Sequence, residues 1–383
     1  MILGIDATNI VSGGGLTHCK KILLNNKFKE HGFSKVIIWS SKNTLENIAS
    51  SEFILKKTHY LLNKKIFIRI FWNIFFFKRA IIKENCDALL VLGGYSLVRF
   101  KPTVTISQNM LPFEPKEIKN YGISLRRFKF AIIKYLQLYT FSNSEGIIFL
   151  SNYAKDQIGK KIKLHNKNTK IVPHGIDESF YINKNNIREF SDNLKNTKPF
   201  KFIYVSTVDM YKHQWNVIKA VGKLKNDGYK VQLDLIGDSY KPALKKMLNE
   251  IDLVDKNRDF IFYHGSVLHK NLHKFYEKSD LIIYASSCEN LPIILLEGMA
   301  TSIPIASSNY GPMQEVLGNY RHYFNPYNFE DIYEKIKRMM LNYNSSLESS
   351  KATFKKTKLY SWEECRSSTF SFMANVIQDK RST

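Results

Sequence analysis

Two glutamates, Glu289 and Glu297, stand eight residues apart in the stretch Cys288-Glu-Asn-Leu-Pro-Ile-Ile-Leu-Leu-Glu297-Gly-Met-Ala300. An ionised carboxylate accepts two hydrogen bonds, so it suits a pair of hydroxyl groups. The apolar run Ile293 to Leu296 separates them, and the strand-like Asp280-Leu-Ile-Ile-Tyr-Ala285 precedes them. The spacing predicts strand, short loop and helix, with Glu289 in the loop and Glu297 about two turns into the helix. Pro292 fits the first helical turn, where its missing N–H is no loss. Such a loop lies at the carboxyl edge of a parallel sheet, where open α/β sheets bind ligands and helix N–H groups favour phosphate. Glutamates at this spacing are frequent, and a solvated Glu289 beside a helix-face Glu297 explains them equally well.

Further candidates punctuate the chain. Gly13-Gly14-Gly15 follows the first predicted strand and reads as a loop, with a helix beginning near Thr17. Backbone can approach a phosphate closely there. The pattern is not the dinucleotide fingerprint, and no acidic residue closes a second strand about twenty residues on, which disfavours nicotinamide binding. Gln108 and Asn109 sit in Ser107-Gln-Asn-Met-Leu-Pro-Phe-Glu-Pro115, and His174 in Ile171-Val-Pro-His-Gly-Ile-Asp177. Thr207 and Lys212 sit in Val205-Ser-Thr-Val-Asp-Met-Tyr-Lys-His213, Gly237 in Ile236-Gly-Asp238, and His264 in Tyr263-His-Gly-Ser-Val267. A polar turn, a hinge-stabilising histidine or a bare surface lysine would be the plain reading of each. No D-x-D, H-E-x-x-H, G-x-S-x-G or P-loop pattern occurs, against metal-clamped diphosphate, zinc, serine-hydrolase and P-loop chemistry.

Together with Ser307-Ser-Asn-Tyr-Gly-Pro-Met-Gln-Glu315, which follows the glutamate pair, these segments in sequential order from residue 4 to residue 315 resemble the family-4 retaining glycosyltransferases. Glu289 and Glu297 match the E-x7-E signature. The opening Gly4-Ile-Asp-Ala-Thr-Asn-Ile with Gly13-Gly-Gly-Leu-Thr-His18 is similar to members that build bacterial cell-surface polysaccharides such as the lipopolysaccharide O-antigen. The resemblance implies the GT-B fold, two Rossmann-like domains facing each other across a cleft. It implies a nucleotide-diphosphate-sugar donor held by Gly14, Gly15, Thr207, Lys212, Gly237, His264, Glu289, Asn290, Leu291, Pro292 and Glu297. Glu297 would take the ribose hydroxyls, and Glu289 with the Asn290 and Leu291 amides the transferred sugar. Lys212 would face the diphosphate. Glu289 and Lys212 are the catalytic candidates, and Gln108, Asn109 and His174 possible acceptor or sugar contacts. No metal or other cofactor is expected. Three departures stand out: Gln108 or Asn109 replaces a family histidine, Thr207 replaces an arginine, and Pro292 replaces a glycine whose amide could donate. The implied acceptor is a glycan, expected to be undecaprenyl-diphosphate-linked, at the cytoplasmic face of a membrane. Other GT-B chemistry, such as a sugar-nucleotide epimerase or a phosphorylase, is the nearer alternative. A nucleic-acid binder is the more distant one, since no nucleic-acid module is recognisable.

Positioning these residues requires alternating strands and helices. Strands are predicted at Ile2–Ala7, Lys35–Ser40, Ala88–Gly93, Thr103–Ser107, Gly146–Ser151 and Lys170–Pro173. A second series follows at Phe200–Ser206, Gln232–Gly237, Phe260–His264, Leu281–Ala285 and Ile303–Ala306. Two βα series across 383 residues imply two doubly wound α/β domains. They are expected at residues 1–182 for the acceptor and 200–360 for the nucleotide sugar. A linker at 183–199 would join them, and a closing helix at 361–383 would cross back to the first. The four cysteines are scattered, which favours a reducing cytoplasm, and Met1-Ile-Leu-Gly-Ile-Asp6 reads as a buried strand rather than a signal peptide.

Charge is concentrated in the first half. Residues 1–172 hold 28 Lys and Arg against 10 Asp and Glu, which accounts for most of the net +23. That field suits anionic lipid, a diphosphate or nucleic acid. Arg126, Arg127, Lys129 and Lys134 fall in one helical stretch, Leu125–Tyr139, that fits peripheral membrane binding. Ile66–Phe77 is short of a transmembrane span and carries Arg69 and Asn73. It reads either as a core-facing helix or as an aromatic, basic helix in a lipid interface.

Overall fold

Short aliphatic runs bury on both faces here, as strands of a parallel sheet must. The computed structural model describes residues 1–11, 13–164, 167–182 and 198–382. Seven strands form the first sheet: β1 (Ile2–Asp6), β2 (Lys35–Trp39), β3 (Ile54–Lys57), β4 (Ala88–Val91), β5 (Thr103–Ser107), β6 (Gly146–Phe149) and β7 (Asn168–Ile171). Six form the second: β8 (Phe200–Val205), β9 (Val231–Ile236), β10 (Ile261–Tyr263), β11 (Leu281–Tyr284), β12 (Ile305–Ser308) and β13 (Tyr323–Phe324). The strand orders are β3-β2-β1-β4-β5-β6-β7 and β10-β9-β8-β11-β12-β13, and neighbours pair in parallel throughout. Each sheet therefore reverses its winding once, between β1 and β4 and between β8 and β11. The α/β fold class expected from the sequence is the one observed.

The chain divides into two units. One comprises Met1–Ile118, Gly122–Gly175 and Tyr360–Thr383, the other Lys119–Tyr121 and Ile176–Leu359. Most of the linker expected at 183–199 lies outside the described residues. In the first unit, helix α1 is Gly13–Ile22, α2 is Ile66–Phe75, α3 is Phe77–Lys83 and α4 is Leu125–Asn143. Helices α5 (Gln214–Asn226) and α6 (Ile293–Ala300) belong to the second unit, and α7 (Trp362–Ser382) returns to the first. Phe370 of α7 packs its ring on Phe28 and Phe33 at 5.8 and 6.3 Å. Gly175 admits the α7 backbone so closely that an added Cβ would lie 2.1 Å from the Trp362 nitrogen.

Two expectations change. Gly13, Gly14 and Gly15 are the first residues of α1 and not a loop before a helix at Thr17. Pro292 precedes α6, and its carbonyl accepts from the Leu295 and Leu296 amides at 3.0 and 3.1 Å. Glu297 is then the fifth residue of the helix, just over one turn in.

Candidate active site

Open α/β sheets offer a crevice where the strand order reverses, beyond the carboxyl ends of the two strands on either side. In the second unit those strands are β8 and β11. The loop after β8 carries Thr207 and Lys212, and the loop after β11 carries Glu289, Asn290 and Leu291. Backbone bonds tie the loops together. The Asp209 carboxylate accepts from the Met210 amide at 2.8 Å and starts a single 3-10 turn, Met210–Lys212. His213 then takes a left-handed conformation, and α5 begins. The Ser287 amide donates to the Tyr211 carbonyl at 2.9 Å, and the Tyr204 hydroxyl donates to the Lys212 carbonyl at 2.8 Å.

This scaffold aims the Lys212 ammonium at the Glu289 carboxylate, and the two form an ion pair. Lys212 is buried and Glu289 half-buried. The Tyr284 hydroxyl donates to the same Glu289 oxygen at 2.7 Å. Burial first, and the Glu289 charge second, hold that phenol well above its usual pKa, so it stays a donor. A buried ion pair contributes little net stability against the desolvation of its members, but losing one partner is costly. The two catalytic candidates thus occupy one charge-balanced cluster, each the other's partner.

Glu297 is only 2% exposed. One carboxylate oxygen meets His269 Nε2 at 2.6 Å, and the His269 ring packs edge-on against Phe180 at 5.2 Å. Sequence reading missed His269. A lone histidine in a loop after a short strand carries no spacing signal, and only the fold brings it to Glu297. Helix α6 lies close on β11 because residue 298 is glycine. A Cβ there would stand 3.1 Å from the Ile282 side chain.

Gly237 follows β9 and packs against the end of β8. Its φ is +149°, and a Cβ would lie 2.1 Å from the Ser206 carbonyl oxygen, so no larger residue fits. Its amide donates to the Gly265 carbonyl at 2.8 Å, and its carbonyl accepts from the Tyr263 hydroxyl at 2.9 Å. Thr207 has an exposed side chain, and its carbonyl accepts from Gln214 at 3.1 Å. His264 pairs with Asp234 at 2.7 Å, toward the β9 and β10 side. Asn290, Leu291 and Pro292 are buried.

In the first unit the candidates fall into a separate, neutral cluster. Gln108 Nε2 lies 2.6 Å from His18 Nδ1, and the His18 ring stacks on His174 at 4.4 Å. Trp362 lies 5.5 Å from His174, and Cys365 Sγ 3.9 Å from His18 Nε2. Gly15 leaves room for Gln108, since a Cβ would stand 3.1 Å from its Oε1. Burial lowers His18 to about 4, and burial with the neighbouring His18 puts His174 well below the usual range. Both rings are neutral near pH 7. Neither nitrogen of His174 has a partner among the described residues. Asn109 does not join them: its side chain is spent on the Leu111 amide at 3.1 Å. His18 and Trp362 complete a cluster that the sequence showed only as Gln108 and His174. Among the described residues no group of three or more His, Cys, Asp or Glu is placed to hold a metal ion.

Residues 185–356 match the family described as glycosyl transferases group 1. The chain is 22% identical over 303 residues to the sulfoquinovosyl transferase SQD2 of Arabidopsis thaliana, covering 77% of this chain and 56% of that protein. It spans about half the length of the curated relatives it matches. Among solved structures, sucrose-phosphate synthase of Thermosynechococcus elongatus superposes with a TM-score of 0.74 at 13% identity, over 100% of this chain and 98% of that one. Anabaena Alr3699/HepE in complex with UDP and glucose gives 0.68 at 13% identity, over 100% of both chains. Residues 185–356 therefore match the glycosyl transferases group 1 family, and the chain has the GT-B glycosyltransferase fold.

Proposed function

We propose that this protein is a retaining, metal-independent glycosyltransferase. It moves a sugar from a nucleotide-diphosphate donor onto a lipid-linked glycan in the biosynthesis of a surface polysaccharide. The observation that carries the reading is the Lys212–Glu289 pair at the reversal point of the second sheet, with Glu297 buried in the helix that follows. The family match over the same unit supports it, as does the likeness to a protein solved with UDP and glucose.

Glu297, oriented by His269, accepts the ribose hydroxyls. Lys212 turns its charge from Glu289 to the diphosphate, and the freed Glu289 carboxylate takes hydroxyls of the transferred sugar. The exchange keeps the ammonium paired at every stage, which avoids leaving a buried charge bare. Charge growing on the departing diphosphate is met by Lys212, a preorganised electrostatic contribution. The acceptor attacks on the face the diphosphate leaves, and a donor phosphate oxygen takes its proton. The barrier falls through positioning more than through a protein nucleophile. The first unit, with Gln108 and His174, meets the acceptor or the donor sugar. Its basic surface, including Arg126, Arg127, Lys129 and Lys134, faces an anionic, undecaprenyl-type membrane pool on the cytoplasmic side.

A thermal-shift panel of nucleotide sugars tests the donor role. A ligand present at about 100 times its Kd stabilises by about 2.7 kcal/mol. Glu297→Gln is expected to erase that shift while leaving the ligand-free melting point near wild type. A wild-type protein that responds to no nucleotide sugar would refute the reading. Release of free epimer or of a sugar phosphate without any acceptor would place the enzyme in another GT-B class.

A further inference from the structure

The sequence left Ile66–Phe77 open between a core helix and an interfacial one, and the structure shows both faces. On the inner side Trp72 and Asn73 are buried, and Arg69 Nη1 donates to the Thr8 carbonyl at 2.9 Å. On the outer side Phe67, Phe71, Ile74 and Phe75 recur at helical spacing and are exposed, Phe67 by 65% and Phe75 by 58%. The Phe71 and Phe75 rings lie against each other, tilted, with centroids 4.7 Å apart, and both remain exposed. Phe76 and Ile82 extend the apolar surface into α3.

Helix α4 is its neighbour. Ile66 and Ile70 of α2 share one apolar cluster with Tyr95 and with Ile132, Ile133 and Leu136 of α4. Leu125, Phe128 and Tyr135 of α4 are again exposed at helical spacing, Phe128 by 62% and Tyr135 by 70%. A soluble surface rarely gathers so many large apolar side chains unless something covers them.

Charge decides what that cover is. Residues 64–83 contain six Lys and Arg and no acidic residue, and residues 123–143 contain four and none. Lys64, Lys65, Lys78 and Arg79 bracket the phenylalanines, and all four are exposed. A second copy of the chain would set this cationic rim against itself. An anionic lipid surface complements both parts at once, with aromatic rings at the acyl boundary and cations among the head groups. No helix among the described residues is long and apolar enough to cross a membrane, so the contact lies in the interfacial plane.

We propose that the outer faces of α2, α3 and α4 dock the protein on an anionic bilayer, with Phe67, Phe71 and Phe75 inserted below the head groups. This deepens the membrane part of the proposed function from electrostatic adsorption to insertion by a named helix. It does not depend on which sugar is transferred.

The full chain is sedimented with vesicles of equal parts phosphatidylglycerol and phosphatidylcholine, and with phosphatidylcholine alone, at low and high salt. Wild type is expected to bind the anionic vesicles and to keep a salt-resistant fraction. Phe71→Ser/Phe75→Ser should lose that fraction, with affinity falling on the order of tenfold or more. Arg127→Ala/Lys129→Ala should lose mainly the salt-sensitive part. In Phe71→Trp, emission should be quenched by lipids brominated near the glycerol end of their chains. Circular dichroism and the nucleotide-sugar melting shift confirm that each variant is folded. Equal high-salt binding by Phe71→Ser/Phe75→Ser overturns the insertion. So does equal binding to both vesicle types, or a wild-type dimer that the serine variant converts to monomer. Absent vesicle binding with an intact donor shift removes this surface and leaves sugar transfer standing, whereas an absent donor shift with intact vesicle binding does the reverse.

Discussion

The two units repeat one architecture and put different chemistry on it. Each is a parallel sheet that reverses once, at β1/β4 and at β8/β11. Beyond β8 and β11 stands a charged pair, Lys212 and Glu289, with Glu297 in the following helix. Beyond the first sheet the grouped side chains are neutral: two stacked histidines, a glutamine and a tryptophan. Even the carboxyl at the end of β1, Asp6, is pushed toward its neutral form by burial. Many cations of the first unit, such as Lys64, Lys65, Lys78, Arg79, Arg127 and Lys129, are exposed on its helices or just before them, while Arg69 turns inward to the Thr8 carbonyl. The same fold thus sets a cation–carboxylate pair at one reversal point and groups neutral rings beyond the other sheet, which is why function has to be argued from the side chains and not from the sheet.

The largest expected effect would break the second unit alone. Gly237→Ala places a methyl against the Ser206 backbone at a φ only glycine adopts readily, so something must move. We expect a loss of about 4 kcal/mol, the sum of overpacking and backbone strain, read by urea unfolding. Hydrogen exchange should show the opening confined to the second unit, and protection lost equally in β1 and β4 would contradict the separation.

Next comes the charged pair. Lys212→Met leaves Glu289 half-buried without its cation, for a cost of about 3 kcal/mol. Lys212→Met/Glu289→Gln should recover most of that stability and none of the activity. If the double variant is no more stable than the single, Lys212 and Glu289 do not form a charge-balanced unit.

The neutral cluster sharpens the contrast through pH. Burial holds His18 at about 4, below the ordinary 6.5 of the unfolded chain. The unfolded state therefore takes up protons first. Stability is complete above pH 6.5 and is lost as pH falls toward 4. Between pH 7.5 and pH 5 this one ring costs about 2 kcal/mol. His174, shifted the same way, adds to it in the same cluster. In the second unit His213 is lowered to about 4 as well, by burial and then Lys246, but it stands apart with Ser287 as its partner at 2.8 Å. Urea unfolding of His18→Gln at the two pH values should show a smaller acid loss than wild type. An unchanged loss would mean that the cluster does not govern the acid limb.

Legibility followed the strength of local pattern. Fully buried strands such as β4, β6 and β11 read directly from their apolar runs. β3, Ile-Leu-Lys-Lys, is half polar, and β13 is two residues long, so neither stands out from a loop. The glycine triplet reads as a loop because glycine is a poor helix former, yet α1 begins there, with Gly15 close against Gln108. Glu289, Glu297 and Lys212 were marked by spacing and by resemblance. Their partners Tyr284 and His269 were not: Tyr284 ends β11 and reads as a strand residue, and His269 meets Glu297 only through the fold, from 28 residues away.

The amino-acid sequence alone determined the alternation of strands and helices, the excess of positive charge in the first half, and the glutamate spacing after β11. Those are properties of neighbours along the chain, set by periodicity and residue type. Only the tertiary structure decided that Lys212 and Glu289 share a charge, that His18 and His174 are stacked and neutral, and that α2 turns its phenylalanines outward. Pairing, desolvation and facing depend on residues far apart in sequence, and packing alone brings them within reach.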